Sequence, residues 1–445
     1  MRRILANVTL LLVMLLTASQ AFAQLRIEIT ETAGVQDKIP IAIVPFGGRA
    51  VGVPVDVAAI IQADLERSGR FNIIPADLLP SNPATSNEIT FTDWRNTGIE
   101  YLVVGQINDA GGGNFDVVVE LVDIVKQRQL MGKANANGQV EYCCRFPPTD
   151  LLRLAAHKAS NRIYEEIVGV KGVFDTRFAY ITSSGPLDAR RYALELADID
   201  GENIERVLEI GRPVLSPTWS PDGVQLAYVT FEFARTGRSA IIVHHLSTAD
   251  RHKLISIEGI NGAPSWSPDG RRLALSLSHR GSPDIYIVNI ASGQLSQLTT
   301  SDSIETEATW LDDNTVAFTS NRSGSPQIYR KGLASGSRAQ RITFEGNYNA
   351  GASASPDGSK IAFIHNDNGN FRIAVQDVDN GVLEVLTTGQ LDESPSFSPN
   401  GDQILYSTKE QGRDVLGIVS VDGLVEQRIR LANDNVRDPA WGPRR

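Results

Sequence analysis

Cysteine is almost missing from this chain. Two residues in 445, the adjacent Cys143 and Cys144, are all it has, which excludes a disulfide-stapled scaffold and a zinc site built on thiolates. Across one trans peptide their Cα atoms lie about 3.8 Å apart, below the usual disulfide range, so a vicinal disulfide would be strained and two thiols are the other reading. A basic excess is missing too. Lys and Arg number 42 against 52 Asp and Glu, a formal charge of −10, so nothing offers an electrostatic footprint for nucleic acid or an anionic bilayer. Histidine is sparse: His157, His244, His245, His252, His279 and His365 contain no pair with the spacing of a helical zinc motif. No Gly-x-Ser-x-Gly elbow occurs, and no Lys-Ser/Thr follows Gly111-Gly112-Gly113, which reads as a flexible hairpin turn. Asp198-Ile199-Asp200-Gly201 and Asp367-Asn368-Gly369-Asn370 lack the distal Glu of a calcium loop and also read as turns. No cofactor, metal or catalytic residue is expected.

Long hydrophobic runs are limited to one. Arg2 and Arg3 precede an apolar stretch over residues 4–16, and Ala21-Phe22-Ala23 supplies the small-x-small pattern of a signal peptidase site between Ala23 and Gln24. The run is too short to cross a hydrocarbon core of roughly 30 Å as a helix. Residues 1–23 are therefore expected to be a signal peptide. The chain from Gln24 is expected to be exported, periplasmic and not inserted in a membrane.

What the sequence has in quantity is a repeat. Pro217-Thr218-Trp219-Ser220-Pro221-Asp222-Gly223 returns as Pro264-Ser265-Trp266-Ser267-Pro268-Asp269-Gly270 and as Pro395-Ser396-Phe397-Ser398-Pro399-Asn400-Gly401, with weaker copies between and a truncated one at the end. The anchor column is Trp219, Trp266, Trp310, Ala354, Phe397 and Trp441, at spacings of 47, 44, 44, 43 and 44. A period in the mid-forties is that of propeller blades. Ser-Pro-Asp-Gly is turn chemistry, because Pro presets φ, Asp bonds nearby backbone and Gly accepts φ > 0. β-rich runs after each turn give four antiparallel strands per unit. The tryptophans read as packing between blades. Phe178-Ala179-Tyr180 matches the second-strand column without a first strand before it, and Pro439-Ala440-Trp441 is a first strand with nothing after it. Joining them gives six blades and removes an open edge.

Residues 24 to about 174 follow a different grammar. Strands are expected at 39–46, 71–74, 101–107 and 115–125, and helices at 55–68, 87–96 and 148–168. The last carries Leu151, Leu154, Ala155, Ile163 and Ile167 on its apolar side. The expected organisation is a signal peptide (1–23), an arm (24–38) alternating like an edge strand, a small α/β domain (39–168), a hinge (169–175) and a six-bladed propeller (176–445). Function then belongs to the loops leading into the innermost strands, which vary while the framework repeats. Glu258, Asp302, Glu305, Glu307, Glu345, Asp392, Glu393, Asp434 and Asp438 outnumber the one basic residue there, Arg437. This is a solvated acidic rim or an interaction surface. An exported propeller hydrolase, or a propeller binding a glycan or small molecule around Tyr348, are the alternatives.

These features, together with Ile41-Ala42-Ile43-Val44-Pro45-Phe46, Asn261-Gly262-Ala263-Pro264, Gln340-Arg341-Ile342-Thr343, Leu391-Asp392-Glu393-Ser394-Pro395 and Lys171-Gly172-Val173-Phe174, resemble the TolB family, the periplasmic component of the Tol–Pal envelope system, over the whole chain. The resemblance implies a non-enzymatic adaptor for outer-membrane integrity and constriction in cell division, exploited by colicins in some bacteria. It implies a surface for the lipoprotein Pal at Asn261, Gly262, Ala263, Thr306, Glu307, Asp392 and Glu393. It also implies a TolA-binding arm at Leu25, Arg26, Ile27, Glu28 and Ile29, with other outer-membrane lipoproteins or porins as further partners. Ala354 and Leu311-Asp312-Asp313-Asn314 depart from the repeat, and the cysteine pair is not a family requirement.

Overall fold

Every residue of the run Ile41-Ala42-Ile43-Val44 is buried, as expected for a strand with both faces covered. In the computed structural model, which describes residues 28–31, 38–132, 143–146, 150–232, 238–431 and 435–445, the chain builds an α/β layer followed by a ring of small sheets. Strand β1 (Glu28–Glu31) precedes β2 (Ile39–Ile43), helix α1 (Val57–Arg67), β3 (Phe71–Ile73), a short α2 (Phe91–Arg95), β4 (Tyr101–Gly111), β5 (Asn114–Asp123), β6 (Arg128–Met131), β7 (Cys143–Phe146) and helix α3 (Asp150–Val168). The sheet order is β3-β2-β4-β5-β6, with β7 also on β5. β2 is parallel to β3 and β4, whereas β4, β5 and β6 are antiparallel. Ile41 and Ile43 face α1 and α3, while Ala42 and Val44 pack with Trp94 and Ile99 on the other side.

Asp56 caps α1, its side chain accepting from Ala59 N at 3.0 Å. Gly69 ends it at φ 68, and a Cβ there would meet Val425 of the propeller at 2.3 Å. Only glycine therefore serves both the left-handed stop and the close approach. The buried stripe of α3 is Leu152, Ala155, Ala156, Ala159 and Ile163, and Leu151 is exposed. Of the stripe expected from sequence, Ala155 and Ile163 are buried and Ile167 packs partly buried against the same core, while Leu151 is the correction. β6, β7 and the restriction of the 87–96 helix to Phe91–Arg95 are further departures.

Each blade has four antiparallel strands. Blades 1 to 5 span residues 214–255, 261–297, 305–341, 349–385 and 393–429. Blade 6 combines 176–210 with the final strand Val436–Arg444, which pairs with Thr176–Ser184 in the register Val436↔Thr182, Trp441↔Phe178. Trp219 Nε1 donates to Ala440 O at 3.1 Å and Trp310 Nε1 to Ser265 O at 3.0 Å, so these tryptophans bond the neighbouring blade as well as fill space.

Blade 5 has a fifth strand. β1 pairs with Val425–Ile429, Glu28 opposite Arg428 and Ile29 opposite Gln427. The arm thus adds a strand to the propeller, across almost 400 residues of chain. Residues 1–23 and Leu25, Arg26 and Ile27 lie outside the described residues, as do Ala23 and Gln24. Segment 169–175 is tied down: Lys171 O accepts from Asn400 Nδ2 at 3.0 Å, Gly172 O from Arg444 Nε at 3.1 Å, and Asn161 Oδ1 from Phe174 N at 2.8 Å.

Candidate binding face and channel mouth

The first strand of every blade is broken by a bulge at the same place, after Leu215, Gly262, Thr306, Ala350, Glu393 and Arg437. The next residue takes a left-handed backbone in all six: Ser216 (φ 50), Ala263 (47), Glu307 (55), Gly351 (65), Ser394 (55) and Asp438 (49). A bulge re-aims one side chain and increases local twist, and here it turns six residues toward the axis. They line one cavity of about 270 Å³ at the channel mouth. That volume is below the roughly 300–1,000 Å³ usual for small-molecule sites.

The two acids of this ring sit three blades apart and act alike. Glu307 Oε2 accepts from Gly351 N at 2.9 Å and from Thr319 Oγ1 at 2.9 Å. Asp438 Oδ2 accepts from Ser216 N at 3.0 Å. Each carboxylate thus holds the bulge amide of the following blade. Two residues before each left-handed position lies a second column: Asn261, Glu305, Asn349 and Asp392 in blades 2 to 5, all buried. Asn261 accepts from Ile257 N at 3.0 Å and donates to Ile257 O at 2.8 Å. Glu305 meets Arg322. Asp392 accepts from Thr387 at 2.6 Å and Thr408 at 2.5 Å. Burial pushes the Asp392 carboxyl up, against the two threonine bonds.

The seven propeller residues singled out from sequence therefore fall on three successive columns. Ala263 and Glu307 line the mouth, while Gly262, Thr306 and Glu393 stand one position earlier. Asn261 and Asp392 are buried beneath, where they shape the loops and offer no contact surface. Glu393 is exposed, its carboxyl raised by burial of part of its surface and by Asp438. The Tyr348 hydroxyl is raised by burial, Glu307 and Glu393, so the mouth is electronegative. Ser216, Gly351 and Ser394 join the ring without any side-chain signal in the sequence, although all six ring residues lie three before the anchor column. Around the mouth, Ile260, Ile304 and Phe344 are 55%, 50% and 71% exposed, among the exposed carboxylates of Glu258, Asp302, Glu345 and Glu393.

A second group lies at the domain seam, where His157, Asp198 and Asp200 bring ligand-type atoms within 4.8 Å of one another. Arg445 Nη2 and Asn203 Nδ2 already occupy the two Asp198 oxygens at 2.8 and 2.7 Å, and Arg153 pairs with Asp200. This is an ion-pair network.

The TolB amino-terminal domain family matches residues 25–130 and the TolB beta propeller domain family residues 164–445. The chain is 44% identical over 439 residues to the Tol-Pal system protein TolB of Xanthomonas oryzae pv. oryzae, covering 98% of this chain and 97% of that one. It is 44% identical over 436 residues to its counterpart in Xanthomonas axonopodis pv. citri, covering 97% and 96%. The crystal structure of TolB from Acinetobacter baumannii superposes with a TM-score of 0.84 at 39% identity, covering 95% of this chain and 100% of that one. A small α/β domain, a six-bladed ring and likeness along nearly the whole chain lead to one assignment: the chain belongs to the TolB family of Tol-Pal system proteins.

Proposed function

We propose that this protein is a non-catalytic periplasmic adaptor that binds the lipoprotein Pal on the rim-loop face of its propeller and TolA through its N-terminal arm, serving outer-membrane integrity and constriction in cell division. Other outer-membrane lipoproteins or porins are further partners in this reading. The observation that carries it is the rim: three exposed apolar side chains among carboxylates, over a mouth too small for most small-molecule ligands. Exposed apolar residues grouped with charges suit a protein partner, with apolar anchors giving affinity and charge giving orientation. The arm supports the second half. A short strand added at a sheet edge is held by few backbone bonds and can exchange for another partner.

Calorimetric titration with the soluble domain of the cognate Pal tests the first half. Saturable binding is expected, weakened about tenfold or more by Ala263→Arg and by Phe344→Asp. Glu307→Lys is unsuitable, because Glu307 also latches blade 4. No binding at tens of micromolar overturns Pal as the partner of this face. Deleting residues 24–35 should abolish TolA capture and leave Pal capture intact, and loss of both would refute the division of labour.

A further inference from the structure

Where α3 meets blade 6, a buried chain of alternating charges crosses the domain seam. Arg67 and Asp64 come from α1, His157 and Arg153 from α3, and Asp200 from the propeller turn 198–202. Arg67 pairs with Asp64. Asp64 Oδ2 lies 2.8 Å from His157 Nδ1, His157 Nε2 lies 3.5 Å from Asp200 Oδ2, and Arg153 pairs with that same Asp200 oxygen. Asp64 and His157 have no exposed surface and Asp200 has 6%. Glu202 lends Asp200 only its backbone amide, at 3.1 Å, and Asp198 is held by Arg445 and, more distantly, Arg177.

The geometry dictates which proton matters. A carboxylate accepts only, so Nδ1 must donate to Asp64. In the neutral ring Nε2 is then a bare lone pair 3.5 Å from a carboxylate oxygen of Asp200, and it has no hydrogen-bond partner. In the imidazolium the same atom presents an N–H to that oxygen. We propose that His157 is a proton-operated clamp between the two domains: protonated, it joins Arg153 in holding Asp200, and neutral, it repels the same carboxylate and loosens the seam. Burial alone would lower the imidazole, but the Asp64 charge, its hydrogen bond and Asp200 outweigh it and hold His157 above its ordinary value. Asp200 is held below the ordinary carboxylate range by His157, Arg67 and Arg153, against burial. The sign follows from linkage. Asp64 belongs to the same domain as His157, so what closing the seam adds in favour of the protonated ring is the Asp200 charge, and that contribution is present at low pH and lost as pH rises through the raised value. The clamp stands independently of which partners the propeller binds.

Two measurements on the whole protein test it. In the NMR titration of labelled histidine, the resonance missing from His157→Gln should titrate in wild type with a midpoint above about 6.5. Hydrogen-exchange protection factors, in which the intrinsic pH dependence is divided out, should fall with rising pH at residues 61–67, 153–161 and 196–203. The fall should be at most about tenfold per pH unit, the limit for one linked proton. Protection in blades 2 to 4 should not follow. The slope should vanish in His157→Gln and flatten in Asp200→Asn. Should His157→Gln fail to fold, Asp200→Asn carries the test by lowering the His157 midpoint and flattening the slope. A His157 midpoint at or below the ordinary value, or an unchanged slope in a folded variant, overturns the clamp.

Discussion

Six residues hold the channel mouth in a backbone conformation that side chains ordinarily avoid, and only one of them is glycine. For an L-residue the left-handed region costs roughly 1–2 kcal/mol, so each of the other five must be held by its surroundings. Glu307 and Asp438 show how, because each carboxylate binds the bulge amide of the following blade. Ala263 has no such side-chain bond to make. Ala263→Gly should therefore relieve strain, offset by the roughly 0.4–1 kcal/mol of extra unfolded-state freedom. It should leave stability unchanged or raise it by up to about 1.6 kcal/mol in urea unfolding. Glu307→Ala should cost about 2–3 kcal/mol, since hydrogen bonds to a charged group are worth about 1.5–3 kcal/mol each, and Glu307→Gln should cost less. Equal costs for Ala and Gln would mean that the latch is not what Glu307 supplies. The column is hard to read from sequence because Ser, Ala, Glu, Gly, Ser and Asp share no chemistry. What repeats is φ, which the sequence displays only at Gly351. Asn261 and Asp392 show a related limit: the sequence places them at the rim, but not which way a bulged strand turns each side chain.

At the scale of elements, turns were the most legible part of the chain, because their chemistry is local. In blade 1, Ser220 Oγ lies 2.6 Å from Asp222 Oδ1, Gln225 N donates to Ser220 Oγ at 2.9 Å, and Gly223 takes φ 71. The unit recurs at Ser267–Asp269 and Ser355–Asp357. The hydrogen bond from Ser220, outweighing slight burial, holds the Asp222 carboxyl below its ordinary value, and the bond from Ser355 does the same for Asp357. At Asp269 burial acts first and upward, but Ser267, the Arg271 amide and Arg272 overcome it. Groups lowered in the fold stabilise it above their unfolded values, and the benefit is lost as pH falls through the lowered ones. Blade 5 has Asn400 in this place, 2.7 Å from Ser398 Oγ, so the turn survives without a charge. Combining Asp222→Asn, Asp269→Asn and Asp357→Asn should leave the fold intact at neutral pH and flatten the loss of thermal stability below about pH 4. An unchanged acid slope would exclude these turns as its source. Helix α3 and β1 were less legible, for nonlocal reasons. α3 is buried by the sheet on one flank and by the propeller around His157 on another, which blurs its apolar period. β1 pairs with a strand almost 400 residues away, and the four residues Glu28–Glu31 do not specify that partner.

At the scale of the molecule, the ring must close, and the six-blade reading followed from the two incomplete repeat copies at its ends. The final strand does more than complete blade 6. Asp438 holds Ser216 of blade 1, and Ala440 O accepts from Trp219. Trp441 Nε1 donates to Thr176 Oγ1 at 2.8 Å, and its main-chain N to Ser396 Oγ of blade 5 at 2.9 Å. Arg444 and Arg445 then reach Gly172 O and Asp175 O in the segment that joins the domains. One strand thus connects blades 5, 6 and 1 to the interdomain segment. A ring closed this way should unfold as a unit, whereas a stack of blades contacting only neighbours should fray from its ends. Trp441 is 7% exposed, and truncating a buried aromatic residue costs about 3–5 kcal/mol. Trp441→Ala should therefore lower the melting temperature while keeping a single transition. Ending the chain before Val436 removes the strand and its bonds to three blades at once. It should broaden thermal unfolding into separate steps and open blade 6 to proteolysis at 191–210 before blades 2 to 4 are cut. A truncated chain that still melts in one sharp step at the wild-type temperature would show that inter-blade packing alone holds the ring. The final strand would then be a cover for the blade 6 edge and not its closure.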